Sequence, residues 1–465
     1  MTLEVLKVAV VGHTNTGKTS LLRTLTRDVA FGEVSNRPAT TRDVEAVMLM
    51  VDGEPAIELF DTPGLEDSSG LLERLDELRQ RQGVDWTDAI GLFLESEKEQ
   101  VGFGQEAKVL RRVIDCDVAL YVIDARDRIH GKHKDELEIL GRCARPILPV
   151  LNFVAAPDAD PEAWRAHLAR VNMHAVVAFD TVILDETSES RLYNKMATLL
   201  DGFAPTLGAV LADVTRRQED LKHASAELIA DLVIDVAAYR MVVPARESAE
   251  LETALEDLRE AVRGAEQTCV DRLIDLYRFR PGDYLSETLP IEEGRWGRDL
   301  FDPSALADFG ITTGGAAASG ALAGLAIDVV VGGMTLGAAA LTGAAIGALT
   351  GAIGSRGRQV LDLLRGYSEL RANTATLELL TRRELALCRA LQRRGHASQE
   401  RLRLADRDAQ EDLAGVIDEV KKAVGTARLH PEWSRLERGG LGAMDSDRQE
   451  LRRNLAKALR GALGA

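Results

Sequence analysis

Apolar positions along this chain fall into two regimes. Over roughly the first 185 residues they come as short uninterrupted runs closed by glycine, aspartate or proline, as in "VLKVAVVG", "AIELFDTPG", "VALYVIDARD", "PILPVLN" and "HAVVAFD". Runs of this length bounded by turn residues read as strands buried on both faces. They place strands at Val118–Ile123, Ile147–Leu151 and Ala175–Phe179, and they predict a mainly parallel, doubly wound α/β domain over residues 1–188. Between Gly64 and Val118 the chain is longer than one helix needs, so an insertion over about 66–112 is read as two or three helices.

From about residue 190 the spacing turns to threes and fours, as on one face of a helix. Leu251, Leu255, Leu258, Val262, Ala265, Cys269, Leu273 and Leu276 form one such stripe, and Leu228, Leu232, Val233 and Val236 another. A third long helix is expected over Gln359–Arg393, with Leu363, Tyr367, Leu370, Leu377 and Leu391 inward. An all-α region thus follows the first domain, expected as 189–300 and 358–465 around a distinct segment, 301–357. Within the latter, residues 309–354 carry a single charge, Asp328, which separates uncharged spans of 19 and 26 residues. Each span could cross a bilayer by the usual count of about 20 residues, and glycines four apart would let two helices approach closely. Two readings stand open: a membrane-inserting helical hairpin, and an Ala/Gly-rich helix pair packed inside a soluble domain. Asp328 is expected at the hairpin tip or in a polar pocket. At the C-terminus Leu451, Leu455, Leu459 and Leu463 recur every four residues among Arg452, Arg453, Lys457 and Arg460, as a basic amphipathic helix would. It either lies on an anionic membrane or docks on its own domain.

The chemistry is concentrated near the N-terminus. Gly12 to Thr19, "GHTNTGKT", fits the phosphate-binding pattern G-x-x-x-x-G-K-[ST] between a strand and a helix. Backbone N–H groups of Gly12, His13, Thr14, Asn15, Thr16 and Gly17 would turn in on a β-phosphate. Lys18 would set a positive charge against the β- and γ-phosphates, and the Thr19 hydroxyl would ligate Mg²⁺. Ser20 continues the helix whose N-terminus faces the anion. In "AIELFDTPG", Asp61 at a strand end can hold the Mg²⁺ shell, and the Gly64 N–H can meet a γ-phosphate.

The set GHTNTGKT, TTRD, DTPG and VALYVIDARD, over roughly residues 5–185, resembles the bacterial small GTPases of the Era and tRNA-modification type, within the TRAFAC class. The resemblance implies GTP and GDP as ligands, Mg²⁺ held by Thr19, Thr41 and Asp61, and Lys18, Thr41 and Gly64 as the catalytic set. It also implies a K⁺ beside Asn15, and Leu65 where related enzymes orient water with glutamine, hence slow basal hydrolysis. A P-loop GTPase followed by such a helical region also resembles a bacterial family whose C-terminal part is a domain of unknown function.

One signature departs from that pattern. After the Ile147–Leu151 strand, Asn152 should open Asn-Lys-x-Asp, but Phe153 and Ala155 stand where lysine and aspartate belong. Asn152 can meet the base edge or tie the phosphate loop down; Asp158 lies on the same loop, and Asp180, leaving the next strand, is the favoured substitute carboxylate.

Composition narrows the partners. A formal net charge of −17 argues against general nucleic-acid binding. An aromatic content of 4% favours aliphatic helix packing over a sandwich or barrel. Four scattered cysteines suggest buried thiols in a reducing cytoplasm. The expectation is a cytoplasmic switch, at the inner membrane face if 309–354 inserts, with an unidentified protein partner or a second copy of itself. The alternatives are a nucleotide-gated ribosome or RNA assembly factor, and a soluble nucleotide-binding scaffold with relaxed base choice.

Overall fold

The computed structural model describes residues 3–26, 45–182, 187–244, 248–278, 291–292, 295–311, 327–331, 334–335, 367–393, 413–436 and 445–464. The chain divides into two compact units, residues 1–218 with 392–400, and residues 219–391 with 401–465.

The first unit is built on six strands: β1 (Leu6–Val11), β2 (Glu45–Val51), β3 (Glu54–Asp61), β4 (Val118–Asp124), β5 (Ile147–Asn152) and β6 (Val177–Ala178). Their order is β2-β3-β1-β4-β5-β6, with β2 antiparallel to β3 and every other neighbouring pair parallel. The α/β reading of the apolar runs is therefore correct. Alternation on β1 shows why both faces must be covered. Leu6, Val8 and Val10 enter one core with Leu21, Leu22, Leu192 and Tyr193, while Ala9 and Val11 enter the opposite core with Leu71, Ile90, Leu110 and Trp164. All seven residues of β4 are buried.

Helices α1 (Lys18–Thr26), α2 (Ser68–Gln82), α3 (Trp86–Glu95), α4 (Gly104–Asp115), α5 (Gly131–Gly141), α6 (Pro161–Arg170) and α7 (Ser188–Leu199) flank this sheet. The 66–112 stretch is three helices. Asp67 caps α2 by accepting from the Gly70 N–H, left-handed Gly83 closes it, and Asp85 caps α3 by accepting from Asp88. Register pairs Val10 with Asp61 and Asp124 with Asn152. The C-terminal ends of β1, β3, β4 and β5 thus share one edge, where ligands of such sheets bind.

In the second unit, α8 (Ala204–Ala238, beginning in the first) and α9 (Ser248–Leu276) carry the two stripes read from the sequence, with Val233, Val236, Leu258, Val262, Cys269 and Leu273 buried. A strand β7 (Met241–Pro244) lies between them, and the pair β8 (Ile291–Glu292) and β9 (Arg295–Trp296) precedes α10 (Pro303–Asp308). After these come β10 (Ile327–Val331), β11 (Met334–Thr335), β12 (Tyr367–Ala372), α11 (Thr374–Gln392), α12 (Ala414–Ala427) and α13 (Ser446–Leu463).

Two helical expectations are corrected here. The region does not stay helical, because β11-β10-β12-β7 form an antiparallel sheet. The expected Gln359–Arg393 helix is strand β12 up to Ala372 and helix α11 from Thr374. "YSELRA" satisfies a three-to-four spacing on paper, yet its neighbours across the sheet are the β-branched runs "DVVV" and "VV", which favour pleated pairing. Asn373 then makes the switch, its Oδ1 accepting from the Thr376 N–H at 2.8 Å and starting α11. Within 309–354, the described residues 327–331 and 334–335 are strands, so this part is not a helical hairpin; Asp328 lies in β10 opposite Arg371, with Arg428 Nη2 at 3.6 Å. Most of 309–354, with 359–366, lies outside the described residues. Among the described residues no helix is long and apolar enough to cross a membrane.

The C-terminal helix docks. Leu455, Leu459, Ala462 and Leu463 of α13 enter the core of the second unit. Arg448 pairs with Asp231 and Asp235 of α8, each at 3.0 Å, and Arg452 reaches Glu227 at 3.1 Å.

One buried acid gives this unit a pH-dependent stability. Glu384 on α11 is fully buried, and among the described residues only the Trp296 Nε1–H, at 3.4 Å, donates to it. Burial first, then Glu266 nearby, pushes its carboxyl well above the ordinary value. A raised native value means the unfolded chain releases the proton first, so this group's contribution is intact below about pH 4.5 and is lost as pH rises toward the native value. Glu384→Gln keeps the acceptor for Trp296 and removes the ionisation. Its urea midpoint relative to the parent chain should rise between pH 5 and pH 8; a constant difference would refute the buried neutral acid.

Candidate functional site

The loop after β1 is shaped by backbone before chemistry. Gly12 and Gly17 take φ of 144° and 90°. A Cβ at Gly17 would meet Asn152 Nδ2 at 2.3 Å, so glycine is required by both conformation and space. Asn15 is left-handed at φ 67°, a conformation asparagine tolerates better than most residues. Thr16 Oγ1 donates to the His13 carbonyl at 3.0 Å, which tightens the turn, and α1 begins at Lys18 with Ser20 buried on its first turn.

Lys18 is folded onto this loop, its Nζ donating to the Gly12 carbonyl at 3.1 Å and the His13 carbonyl at 2.8 Å. Burial pushes the ammonium below its ordinary value, against the pull of Asp61 and Glu136. Thr19 Oγ1 donates to Asp61 Oδ2 at 2.5 Å. Burial raises the Asp61 carboxyl, while that hydrogen bond and the Lys18 charge hold it lower. Asp61 is fixed where β3 ends, and Thr62 Oγ1 ties the following residue to the Val10 carbonyl at 2.7 Å. Gly64 comes so close to the loop that a Cβ there would meet Thr14 Oγ1 at 2.5 Å. The hydroxyl of Thr19 and the carboxylate of Asp61 are hard oxygen donors side by side, a pair that fits Mg²⁺. Thr41, the remaining expected ligand, lies outside the described residues.

A polar network behind the loop is absent from the sequence reading. His13 Nδ1 lies 3.1 Å from the Leu65 carbonyl and 2.9 Å from Glu136 Oε1. Both are acceptors, so Nδ1 carries the proton. Glu136 is fully buried on α5, and its other oxygen accepts from the Tyr121 hydroxyl at 2.6 Å. His133 packs edge-on to His13 at 6.0 Å, its pKa pushed down by burial to about 4. The phosphate loop, the backbone after Gly64 and α5 are thereby joined through one imidazole. Leu65 itself is buried in the core, its side chain turned away from chemistry. The signal for Glu136 was faint: one acid on the apolar side of "DELEIL".

On the opposite side, Asn152 is wholly engaged within the protein. Its Nδ2 donates to the Thr16 carbonyl at 3.0 Å, and its Oδ1 accepts from the N–H groups of Phe153 and Thr181, both at 2.9 Å, and from Thr181 Oγ1 at 3.1 Å. Asp180 accepts from the Ala155 N–H at 3.0 Å and the Val182 N–H at 2.9 Å, one on each oxygen. Phe153 is left-handed at φ 56°, a strained conformation for a bulky residue that costs about 1–3 kcal/mol. The Arg126 guanidinium lies over its ring at 4.0 Å and is held there by Asp124 through two hydrogen bonds of 2.9 and 2.7 Å.

A strand, a glycine-bounded loop whose lysine heads a helix, and an aspartate delivered beside the loop's threonine make this a P-loop nucleotide-binding domain. Residues 7–153 match the family described as 50S ribosome-binding GTPase, and residues 165–457 match a domain of unknown function, DUF3482. The second match covers most of the chain, and this protein belongs to the DUF3482 family. Among curated relatives, the tRNA modification GTPase MnmE of Synechococcus elongatus (strain ATCC 33912 / PCC 7942 / FACHB-805) is 33% identical over 125 residues, 27% of this chain and 26% of the relative. MnmE of Histophilus somni (strain 2336) is 37% identical over 166 residues, 36% of this chain and 35% of the relative. The chain thus spans about a quarter to a third of the length of these relatives. Of solved structures, a point variant of Aquifex aeolicus Era bound to GDP·AlF4⁻ is similar at 18% identity, with a TM-score of 0.28, over 38% of this chain and 52% of that one. The G domain of the T. maritima FeoB iron transporter is similar at 22% identity, with a TM-score of 0.26, over 42% of this chain and 98% of that one.

Proposed function

We propose that the protein is a GTP-binding and GTP-hydrolysing switch with slow basal turnover stimulated by K⁺. The observation that carries it is the convergence of Lys18, Thr19 and Asp61, with a 2.5 Å hydrogen bond joining the last two. Lys18 would leave the Gly12 and His13 carbonyls for the β- and γ-phosphates, and the loop N–H groups would hold the β-phosphate. Thr19 and Asp61, with Thr41, would hold Mg²⁺, which supplies charge neutralisation on the transferring phosphoryl group. The Gly64 N–H would meet the γ-phosphate. With buried Leu65 offering no hydrogen bond to water, catalysis rests on positioning and electrostatics, and slow turnover follows.

Phosphate release from GTP by the purified chain tests the activity; no release above a Lys18→Ala control would sink it. Exchanging Na⁺ for K⁺ should raise that rate, and Asn15→Gly, which adopts the left-handed backbone without strain, should remove the difference. Equal rates in the two salts would discard the Asn15 assignment and leave the left-handed loop as its role. Association with membrane is supported by the composition of 309–354 alone, and cosedimentation of the full chain with anionic vesicles tests it. A role in tRNA or ribosome chemistry, which the relatives' names suggest, has the net charge of −17 against it.

A further inference from the structure

The nucleotide site has an unusual wall where the base would lie. Its two expected polar contacts are occupied at home, since Asn152 holds the phosphate loop and the Thr181 backbone, and Asp180 holds the backbone N–H groups of Ala155 and Val182. Residue 155 is alanine and offers no carboxylate. What the site presents instead is an aromatic ring with a guanidinium over it at 4.0 Å. Phe153 is half-buried beside the loop, its ring tip 3.3 Å from where a Gly17 Cβ would stand. The strained left-handed backbone that aims it there is held by its own N–H donating to Asn152 Oδ1. Arg126 lies over the ring with its side chain 40% exposed, and Asp124 holds the guanidinium through two hydrogen bonds.

We propose that the Phe153–Arg126 stack is the base-binding surface, and that it accepts purine nucleotides by stacking, guanine and adenine alike. A stacking platform grips any base by its π-face and reads no edge. Discrimination of purines needs a fixed acceptor for the guanine N1–H and N2–H groups, and a site built that way rejects the base lacking them by large factors. In the described wall, the Asp180 carboxylate is spent on backbone N–H groups, and Asp158, on the same loop, is exposed with its charge directed at Arg126. The proposal rests on the nucleotide-site reading above and extends its substrate class from GTP to purine nucleoside triphosphates.

The test is titration calorimetry of the full chain with GDP, ADP and inorganic tripolyphosphate in the presence of Mg²⁺. GDP and ADP should bind within about tenfold of each other. Phe153→Ala should weaken both about 10- to 100-fold while tripolyphosphate affinity holds. Phe153→Trp should preserve both, and Arg126→Ala, an exposed change, should weaken both by a smaller factor. Ala155→Asp should shift the preference toward GDP. A preference for GDP over ADP of about a thousandfold or more in the parent chain would overturn the inference while leaving a GTPase. Loss of tripolyphosphate binding in a folded Phe153→Ala chain would also overturn it, because the ring would then be a prop for the phosphate loop. If neither nucleotide nor tripolyphosphate binds the parent chain, the proposed function fails and this inference with it.

Discussion

Lys18→Ala should lower GDP affinity by about 10²- to 10³-fold and bring GTP hydrolysis to background, without unfolding the chain. The size follows from truncating one partner of a buried charge–phosphate contact, which costs about 2–5 kcal/mol. The survival of the fold follows from the other side of the same geometry. Lys18 is buried, its ammonium pushed below the ordinary value by desolvation, so removing it also removes a desolvated charge. The Gly12 and His13 carbonyls lose a donor but line a loop whose neighbours are half exposed, where water can replace it. Equilibrium binding of GDP, thermal melting without nucleotide and phosphate release are the three measurements. A folded variant that still binds GDP within tenfold of the parent would show that the phosphate loop is not the anion site.

Much of this site was legible because its chemistry is local in sequence. Gly12 to Thr19 is one contiguous stretch with rigid backbone requirements, so residue types there report geometry directly. Asp61 was readable because a strand of known length must deliver it to the common edge, and β1–β3 register aligns it with Val10. The missing parts share a different property. Glu136 acts through partners at 2.6–2.9 Å that lie 15 and 123 residues away, Tyr121 and His13, and no spacing rule announces a tertiary hydrogen bond. The same limit explains Asp180. Its place at the strand exit was readable, but that both oxygens would accept backbone N–H groups depends on how the Phe153–Ala155 turn folds back.

In the second unit the helical stripes of α8 and α9 were legible because one apolar face faces one core. Strand β12 was not, because "YSELRA" satisfies helix spacing at Tyr367 and Leu370 and strand alternation at Ser368, Leu370 and Ala372. Its state is decided by partners 40 residues before it in β10 and more than 120 before it in β7. Propensity is a weak prior against such pairing.

The largest stability effect should come from Asp235→Ala. Asp235 sits on α8, nearly buried, where three segments distant in sequence meet. Its Oδ1 accepts from Arg448 Nη2 at 3.0 Å and its Oδ2 from Arg435 Nη2 at 2.5 Å, while its backbone carbonyl accepts from Ser434 Oγ at 2.9 Å. Removing the carboxylate leaves the Arg448 guanidinium, only 3% exposed, with Asp231 as its one ion-pair partner among the described residues, beside the Trp433 carbonyl. Breaking a buried pair from one side costs about 3–5 kcal/mol, against a total of about 5–15 kcal/mol for a typical domain. The loss should concentrate on α13, whose Leu455, Leu459 and Leu463 are held in the core partly by this anchor. Limited proteolysis should therefore cut within 446–463 before the rest of the chain, and the urea midpoint should fall. Arg452→Ala makes the contrast, because that pair with Glu227 is about 30% exposed on both sides and a partly solvated ion pair contributes about 0–1 kcal/mol. Added salt should weaken the Arg452 contribution and leave the Asp235 one nearly untouched. Equal losses for the two variants would mean that α13 is held by its leucines alone and that the buried charges at Asp235 contribute nothing to docking it.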